Sequence, residues 1–341
     1  MALRQRNGCR GAHAARARSP RRIKKQYIDT DSKRTRKVMS SSGQGNNTIG
    51  FVGVGVMGRP MARRLIEAGH SLVVFDRDAQ AVAELTAIGA RAAKSVRDVA
   101  DNARIVLTSL PTPAIFKQVA LGDGGLIEGG AIKILVDLST VGSRTEKEVA
   151  DGLLAKGIDT VDAPVSGGAA GAKKGTLAIM MAGKPDVLDQ VRNLFEVLGN
   201  VFVVGDQPGQ GQLLKLLNNM LSSTAFAITS EAFVAGMRGG LDPEVMMSVI
   251  NSGSGKNGAT MDKFPKHVLP GTFDFGFPVG SVCKDIGLAV DECQALGVPM
   301  WVGSVARQVW NYAAMQDGSK RDMTELVKYV ERWSSGDGLA D

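Results

Sequence analysis

The chain has 341 residues, of which 44% are apolar and 22% charged. Such values suit a globular chain and exclude a collagen-like or wholly low-complexity one. The formal charge of +7 invites a polyanionic partner, but residues 1–38 alone carry a net +11 and the remainder a net −4, so the folded body is not a nucleic-acid binder by charge.

Residues 1–47 are rich in Arg, Ser and Gly, lack periodicity, and are expected to be a disordered basic tail. Three readings stay open for it: a basic arm, an Arg-rich transit peptide, or a misassigned upstream start before Met39. It has no apolar core of a secretory signal. The expected location is therefore cytoplasmic, or mitochondrial if residues 1–38 are a genuine transit peptide. The three cysteines form no CxxC pair, and His13, His70 and His267 stand alone, so neither a disulfide framework nor a metal cluster is expected.

Short β-branched runs at 48–55, 71–76, 104–110, 132–138 and 158–162 read as strands, and 59–69, 78–88 and 143–156 read as helices between them. This alternation predicts a Rossmann-type, doubly wound parallel sheet, α/β in class, over residues 48–208. Apolar segments 176–182 and 200–204 are expected to complete the sheet. From Gly211 to Arg238 the pattern turns helical, giving a helix of about 42 Å at 1.5 Å per residue. Asp242-Pro243-Glu244 opens another helix, and 285–296, 299–316 and 322–333 add three more, so residues 209–335 are expected to be an all-α domain. The run Leu216 to Ser230 is too short and too polar to span a bilayer.

Gly53-Val54-Gly55-Val56-Met57-Gly58 follows a strand, opens a helix, and precedes Asp76, an acid ending the next strand. In that context the pattern marks a dinucleotide site. Gly53 allows the tight turn, Gly55 the approach of the diphosphate, and Gly58 close helix packing. The N–H groups around Val56 and Met57 then favour the diphosphate charge. Asp76 suits a free ribose 2′-hydroxyl and favours NAD; Arg77 beside it leaves NADP possible. A second glycine segment, Asp162-Ala163-Pro164-Val165-Ser166-Gly167-Gly168, offers backbone donors and a hydroxyl that suit a carboxylate, although an ordinary turn has the same composition.

Lys215 and Asn219 are spaced i, i+4 and share one helical face in apolar surroundings. A lone helical lysine is usually a solvated charge. Here burial is costly, and a cleft is the escape; burial would lower the lysine towards neutrality, where it can exchange protons.

Four motifs in order resemble the β-hydroxyacid dehydrogenase family: GFVGVGVMGRPMARRL (50–65), DAPVSGGAAGAKKGTL (162–177), GQGQLLKLLNN (209–219) and KDIGLAVD (284–291). The resemblance runs from Thr48 to about Trp333. It implies that Lys215 is the catalytic lysine and Asn219 its partner. It also implies that Ser166, Gly167 and Gly168 grip the substrate carboxylate, and that Lys284, placed at a helix start, lies beside cofactor and substrate. Thr140 is expected to contact the cofactor, with Leu110 and Pro111 bordering its nicotinamide half.

The implied activity is NAD(P)-dependent hydride transfer on a small 3-hydroxy acid, 3-hydroxyisobutyrate-like, or its semialdehyde. Tartronate semialdehyde reduction is the alternative, and a non-catalytic chromatin-associated module a more remote one. Members assemble as homodimers or homotetramers. Two departures stand out. Arg64 replaces the usual Asn in the first motif, and Lys256 and Asn257 in segment 251–260 point to a more polar substrate pocket.

Overall fold

A computed structural model describes residues 48–335 of the chain. The basic tail expected at 1–47 lies outside the described residues.

Five strands, β1 (Ile49–Val52), β2 (Leu72–Phe75), β3 (Arg91–Ala92), β4 (Ile105–Thr108) and β5 (Ile134–Asp137), together with β6 (Asp159–Asp162), form a parallel array in the order β3-β2-β1-β4-β5-β6. The order reverses direction at β1, which makes the sheet doubly wound. Every residue of β1 and β5 is buried, as expected for strands covered on both faces.

The sheet is not parallel throughout. β7 (Val165–Ser166) and β8 (Leu177–Ala182) pair antiparallel, and β8 meets β6 antiparallel at Asp162 and Ala182. β9 (Gly199–Gly205) then runs parallel to β8. The reversal lies in the connection: β7 follows β6 after two residues, and the chain then turns through the helix Gly168–Lys174 and returns as β8 against both.

The helices packed around the sheet are α1 (Gly58–Glu67), α2 (Ala79–Thr86), α3 (Val96–Asn102), α4 (Pro113–Leu121), α5 (Ser143–Leu154), α6 (Gly168–Lys174) and α7 (Pro185–Phe195). Of these α3, α4, α6 and α7 were not anticipated. α3 and α4 announce themselves only by their N-caps: Ser95 accepts from the Asp98 N–H, and Thr112 from the Ile115 N–H with Pro113 at the first position.

α8 (Gln210–Arg238) is the long helix expected, with Gly209 at φ +94° before it. α9 (Pro243–Ser252), a π-helical segment Ala259–Val268, α10 (Val279–Ala295), α11 (Trp301–Asp317) and α12 (Leu326–Ser335) pack around it. The π-helical segment carries Pro265 inside it. A proline lacks the N–H that an α-helix would require, which hid this segment from a pattern reading. α10 begins at Val279, so Lys284 lies inside the helix rather than at its start.

Buried apolar side chains form three clusters. Two, drawn from residues 49–198, lie on the faces of the sheet; the third, drawn from 226–330, centres on Trp310 and Phe226. None of the helices among the described residues is long and apolar enough to cross a membrane.

Candidate active site

β1 stops at Val52 because Gly53 turns to φ +90°, and a Cβ there would stand 2.3 Å from the Ser109 carbonyl oxygen. Gly58 is equally confined, since its Cβ would lie 1.9 Å from the Gly53 carbonyl oxygen. Gly55 differs: nothing lies within 4 Å of where its Cβ would be. Two glycines thus serve packing, and the third leaves bare backbone before open space. That is the cradle a diphosphate requires, so the residues present fit a dinucleotide.

Val56 is exposed and Met57 lies at the helix start. Asp76 holds this loop directly. Its Oδ2 accepts from the Val54 N–H at 2.7 Å, and its Oδ1 accepts from the Asp78 N–H at 2.9 Å. Arg77 is exposed beside it. On the other side of the loop, Leu110 donates its N–H to Ser139 Oγ at 2.8 Å, with Pro111 exposed next to it.

Lys215 is buried on α8, one of two buried lysines among the described residues. Burial lowers its pKa to about 8; the Asp285 charge opposes this fall and the Lys284 charge adds to it. One helical turn on, Asn219 donates Nδ2–H to Asp285 Oδ2 at 2.7 Å. Asp285 also lies 2.9 Å from Lys284 Nζ, and that ammonium donates to the Thr140 carbonyl at 2.5 Å.

The four residues Lys215, Asn219, Lys284 and Thr140, expected from separate motifs, are therefore linked through one residue whose role the sequence did not reveal, Asp285. Its signal was present, since a charge next to Lys284 falls on a helical face otherwise occupied by Val282, Ile286 and Ala289.

Ser166 ends β7, and Gly167 (φ +131°) and Gly168 (φ +62°) lead into α6. The left-handed backbone at both glycines turns the chain sharply and leaves their amides accessible. Arg64 secures the far end of α6. Its Nε–H donates to the Val197 carbonyl at 2.6 Å and Nη1–H to the Lys173 carbonyl at 3.3 Å. The Arg64 departure is thus a structural tie from α1 to the segment that follows Ser166. Of the polar pair expected in segment 251–260, Lys256 is exposed, while Asn257 caps the π-helical segment by accepting from the Ala259 and Thr260 N–H groups.

A second buried network was not anticipated. Gln212 sits one turn before Lys215. It accepts from the Val141 and Gly142 N–H groups at 3.0 and 3.3 Å, and its amide donates to Asp137 Oδ2 at 3.2 Å and to the Ser139 carbonyl at 3.0 Å. Its own N–H donates to Asp162 Oδ2 at 2.8 Å. Gly211 must be glycine for this approach, because a Cβ would stand 2.3 Å from the Met180 carbonyl.

Asp137 further accepts from Thr108 Oγ1 and Ser139 Oγ. Desolvation raises Asp137 to about 6 and Asp162 to about 7. Glu146, fully buried, is pushed well above the carboxylate range by desolvation and by the charges of Asp137 and Asp162.

Comparison with known proteins follows these features. The family profile described as the NAD binding domain of 6-phosphogluconate dehydrogenase matches residues 48–205. The profile described as NAD-binding of NADP-dependent 3-hydroxyisobutyrate dehydrogenase matches 209–330. The 2-(hydroxymethyl)glutarate dehydrogenase of Eubacterium barkeri is 36% identical over 286 residues, covering 83% of this chain and 95% of its own.

The 3-hydroxyisobutyrate dehydrogenase of Pseudomonas aeruginosa is 37% identical over 277 residues, covering 79% and 93%. Among solved structures, the Mycobacterium tuberculosis 3-hydroxyisobutyrate dehydrogenase with L-serine superposes with a TM-score of 0.74 at 28% identity, covering 83% of this chain and 99% of that one. The glycine cradle, the buried lysine and these likenesses converge: the chain belongs to the β-hydroxyacid dehydrogenase family and is an NAD(P)-dependent oxidoreductase acting on the CH–OH group of small 3-hydroxy acids or on their semialdehydes.

Proposed function

We propose that Lys215 is the acid–base group of this dehydrogenase. The observation that carries the reading is a buried ammonium lowered to about 8 beside the Asn219–Asp285 pair. A pKa near the working pH lets one group both accept and return a proton. In oxidation, neutral Lys215 takes the hydroxyl proton of the substrate; in reduction, its ammonium protonates the developing alkoxide. Asn219, fixed by Asp285, orients the substrate oxygen. The Ser166 hydroxyl and the amides of Gly167 and Gly168 bind the substrate carboxylate and fix its reach.

Gly53, Gly55, Val56, Met57, Gly58, Asp76, Arg77, Leu110, Pro111, Thr140 and Lys284 hold the cofactor. Bound there, the nicotinamide ring supplies the hydride acceptor for oxidation and the hydride donor for reduction. Asp76 favours NAD through the ribose 2′-hydroxyl, with NADP the second choice. Residues 48–208 serve as the cofactor-binding domain and 209–335 as the substrate and assembly domain.

A homodimer or homotetramer fits the apolar residues exposed on the helical part. Leu214, Leu221 and Ile228 recur at seven-residue intervals on α8, and Trp301, Val302 and Val305 lie on α11. A cytoplasmic location accords with Cys283 and Cys293 both being free thiols.

Turnover of 3-hydroxyisobutyrate, L-serine and tartronate semialdehyde by the full chain, each with NAD(H) and NADP(H), tests the assignment. Activity that survives Lys215→Met undiminished would remove Lys215 from the chemistry.

A further inference from the structure

The second buried lysine among the described residues is Lys263, on the π-helical segment. Its Nζ donates to Ser222 Oγ at 3.2 Å and lies 5.0 Å from the centre of the Phe275 ring. No carboxylate of the described residues comes within ion-pair distance of it. Asp262, its neighbour in sequence, pairs instead with Lys266 at 2.5 Å. Burial pushes Lys263 below the ordinary lysine range, and only the Asp262 charge opposes this. A hydroxyl and a ring face are weak compensation for a desolvated ammonium, so the position bears a standing cost.

Its contact with Ser222 on α8 gives that cost a purpose. Ser222 follows Asn219 by three residues and Lys215 by seven, so all three lie along one face of the helix. At 1.5 Å per residue, Ser222 stands about 4.5 Å beyond Asn219 along the axis. The Lys263 ammonium is therefore stationed one turn past the residue proposed to orient the reacting oxygen. On this π-helical segment Lys263 is buried, while Lys266 and Asp262 pair at the exposed side.

We propose that Lys263 binds a second, distal carboxylate on the substrate, so that the preferred 3-hydroxy acid is a dianion with an acidic side chain. One carboxylate goes to Ser166 and the two glycines, the alcohol to Lys215, and the side-chain carboxylate to Lys263. The inference rests on Lys215 being the acid–base group, because that fixes where the alcohol lies. It explains why segment 251–268 bears buried polar groups where a methyl-bearing acid would need none.

The test compares 2-(hydroxymethyl)glutarate with 3-hydroxyisobutyrate as substrates of the full chain, using NAD+ and NADP+. The wild type is expected to favour the dianion in kcat/KM. In Lys263→Gln the dianion-to-monoanion ratio falls by about 10-fold or more, the size of one lost charge-assisted hydrogen bond. A ratio that does not move overturns the proposal. Lys263→Met, which keeps the aliphatic stem packed, guards against a folding defect and is expected to behave alike.

A binding measurement separates this inference from the catalytic one. With NADH present, glutarate should bind the wild type more tightly than butyrate, and Lys263→Gln should abolish that difference. If neither hydroxy acid is turned over but the glutarate preference holds and depends on Lys263, the assignment of Lys215 fails and the anion site stands. Equal binding of glutarate and butyrate removes the anion site, whatever the turnover.

Discussion

Asn219 donates a 2.7 Å hydrogen bond to Asp285, and the same carboxylate is the largest influence holding the Lys215 pKa up against burial. One acid thus fixes Asn219 and tunes Lys215, the proposed proton donor. In Asp285→Asn the Lys215 pKa should fall further, and the pH at which reductive turnover is half lost should move to lower pH. Reductive turnover at pH 8 is expected to drop about 10-fold. A pH profile with an unmoved midpoint would show that Asp285 only holds geometry.

Lys215 gives opposite pH limbs in the two directions. Its folded pKa of about 8 is below that of a free lysine, and the role proposed for it in oxidation requires the neutral amine. The kcat/KM for oxidation should therefore rise through about pH 8 and level off above it, while that for reduction falls over the same range. Lys215→Ala should lower turnover by about 10²–10⁴-fold, with cofactor affinity little changed. Stopped-flow turnover and NADH fluorescence titration read the two quantities separately.

Asp76 accepts from Val54 within the glycine loop, in addition to its proposed role at the cofactor ribose. Asp76→Ala should consequently do two things: weaken binding of both cofactors, and shift the NAD-to-NADP preference towards NADP. Cofactor titrations with each nucleotide check this. An unchanged preference would mean that the 2′-hydroxyl is read elsewhere.

The buried carboxylates set an acid-favoured stability. Asp137 and Asp162 have folded pKa values of about 6 and about 7, above the unfolded value near 3.9. The folded state binds more protons than the unfolded state between these limits, so stability is greatest at the acid end and is lost as pH rises through 6 and 7. Urea denaturation midpoints should accordingly be higher at pH 5.5 than at pH 7.5. Asp162→Asn keeps an acceptor for the Gln212 N–H and should flatten that difference.

Gln212→Ala should destabilise the fold by about 3 kcal/mol, because it strands the Val141 and Gly142 donors and a buried face of Asp137. Thermal denaturation measures the loss.

Much of this was legible in the sequence because the informative residues obey local rules. Gly58 is fixed by steric contact with Gly53 within one strand–turn–helix unit, and Lys215 and Asn219 by helical spacing. What escaped was set by distant partners. Asp285 matters through α8, 66 residues away in sequence, and Gln212 through strands 50 to 75 residues before it. Lys263 was hidden for another reason. Pro265 argues against a helix by ordinary α rules, yet the segment coils as a π-helix on which the lysine is buried. The reversal of β8 was likewise invisible, since strand direction depends on the connection and not on strand composition.

The Gln212 network bears on modularity. The two family profiles meet between residues 205 and 209, which invites cutting the chain there. Yet the side chain that satisfies Asp137, and the N–H that satisfies Asp162, both belong to the first turn beyond that seam. An excised nucleotide-binding half would leave Asp137 and Asp162 without these partners at a newly opened edge. Buried hydrogen bonds cross the seam where the two profiles meet, so a half cut there is expected to be less stable than the whole chain.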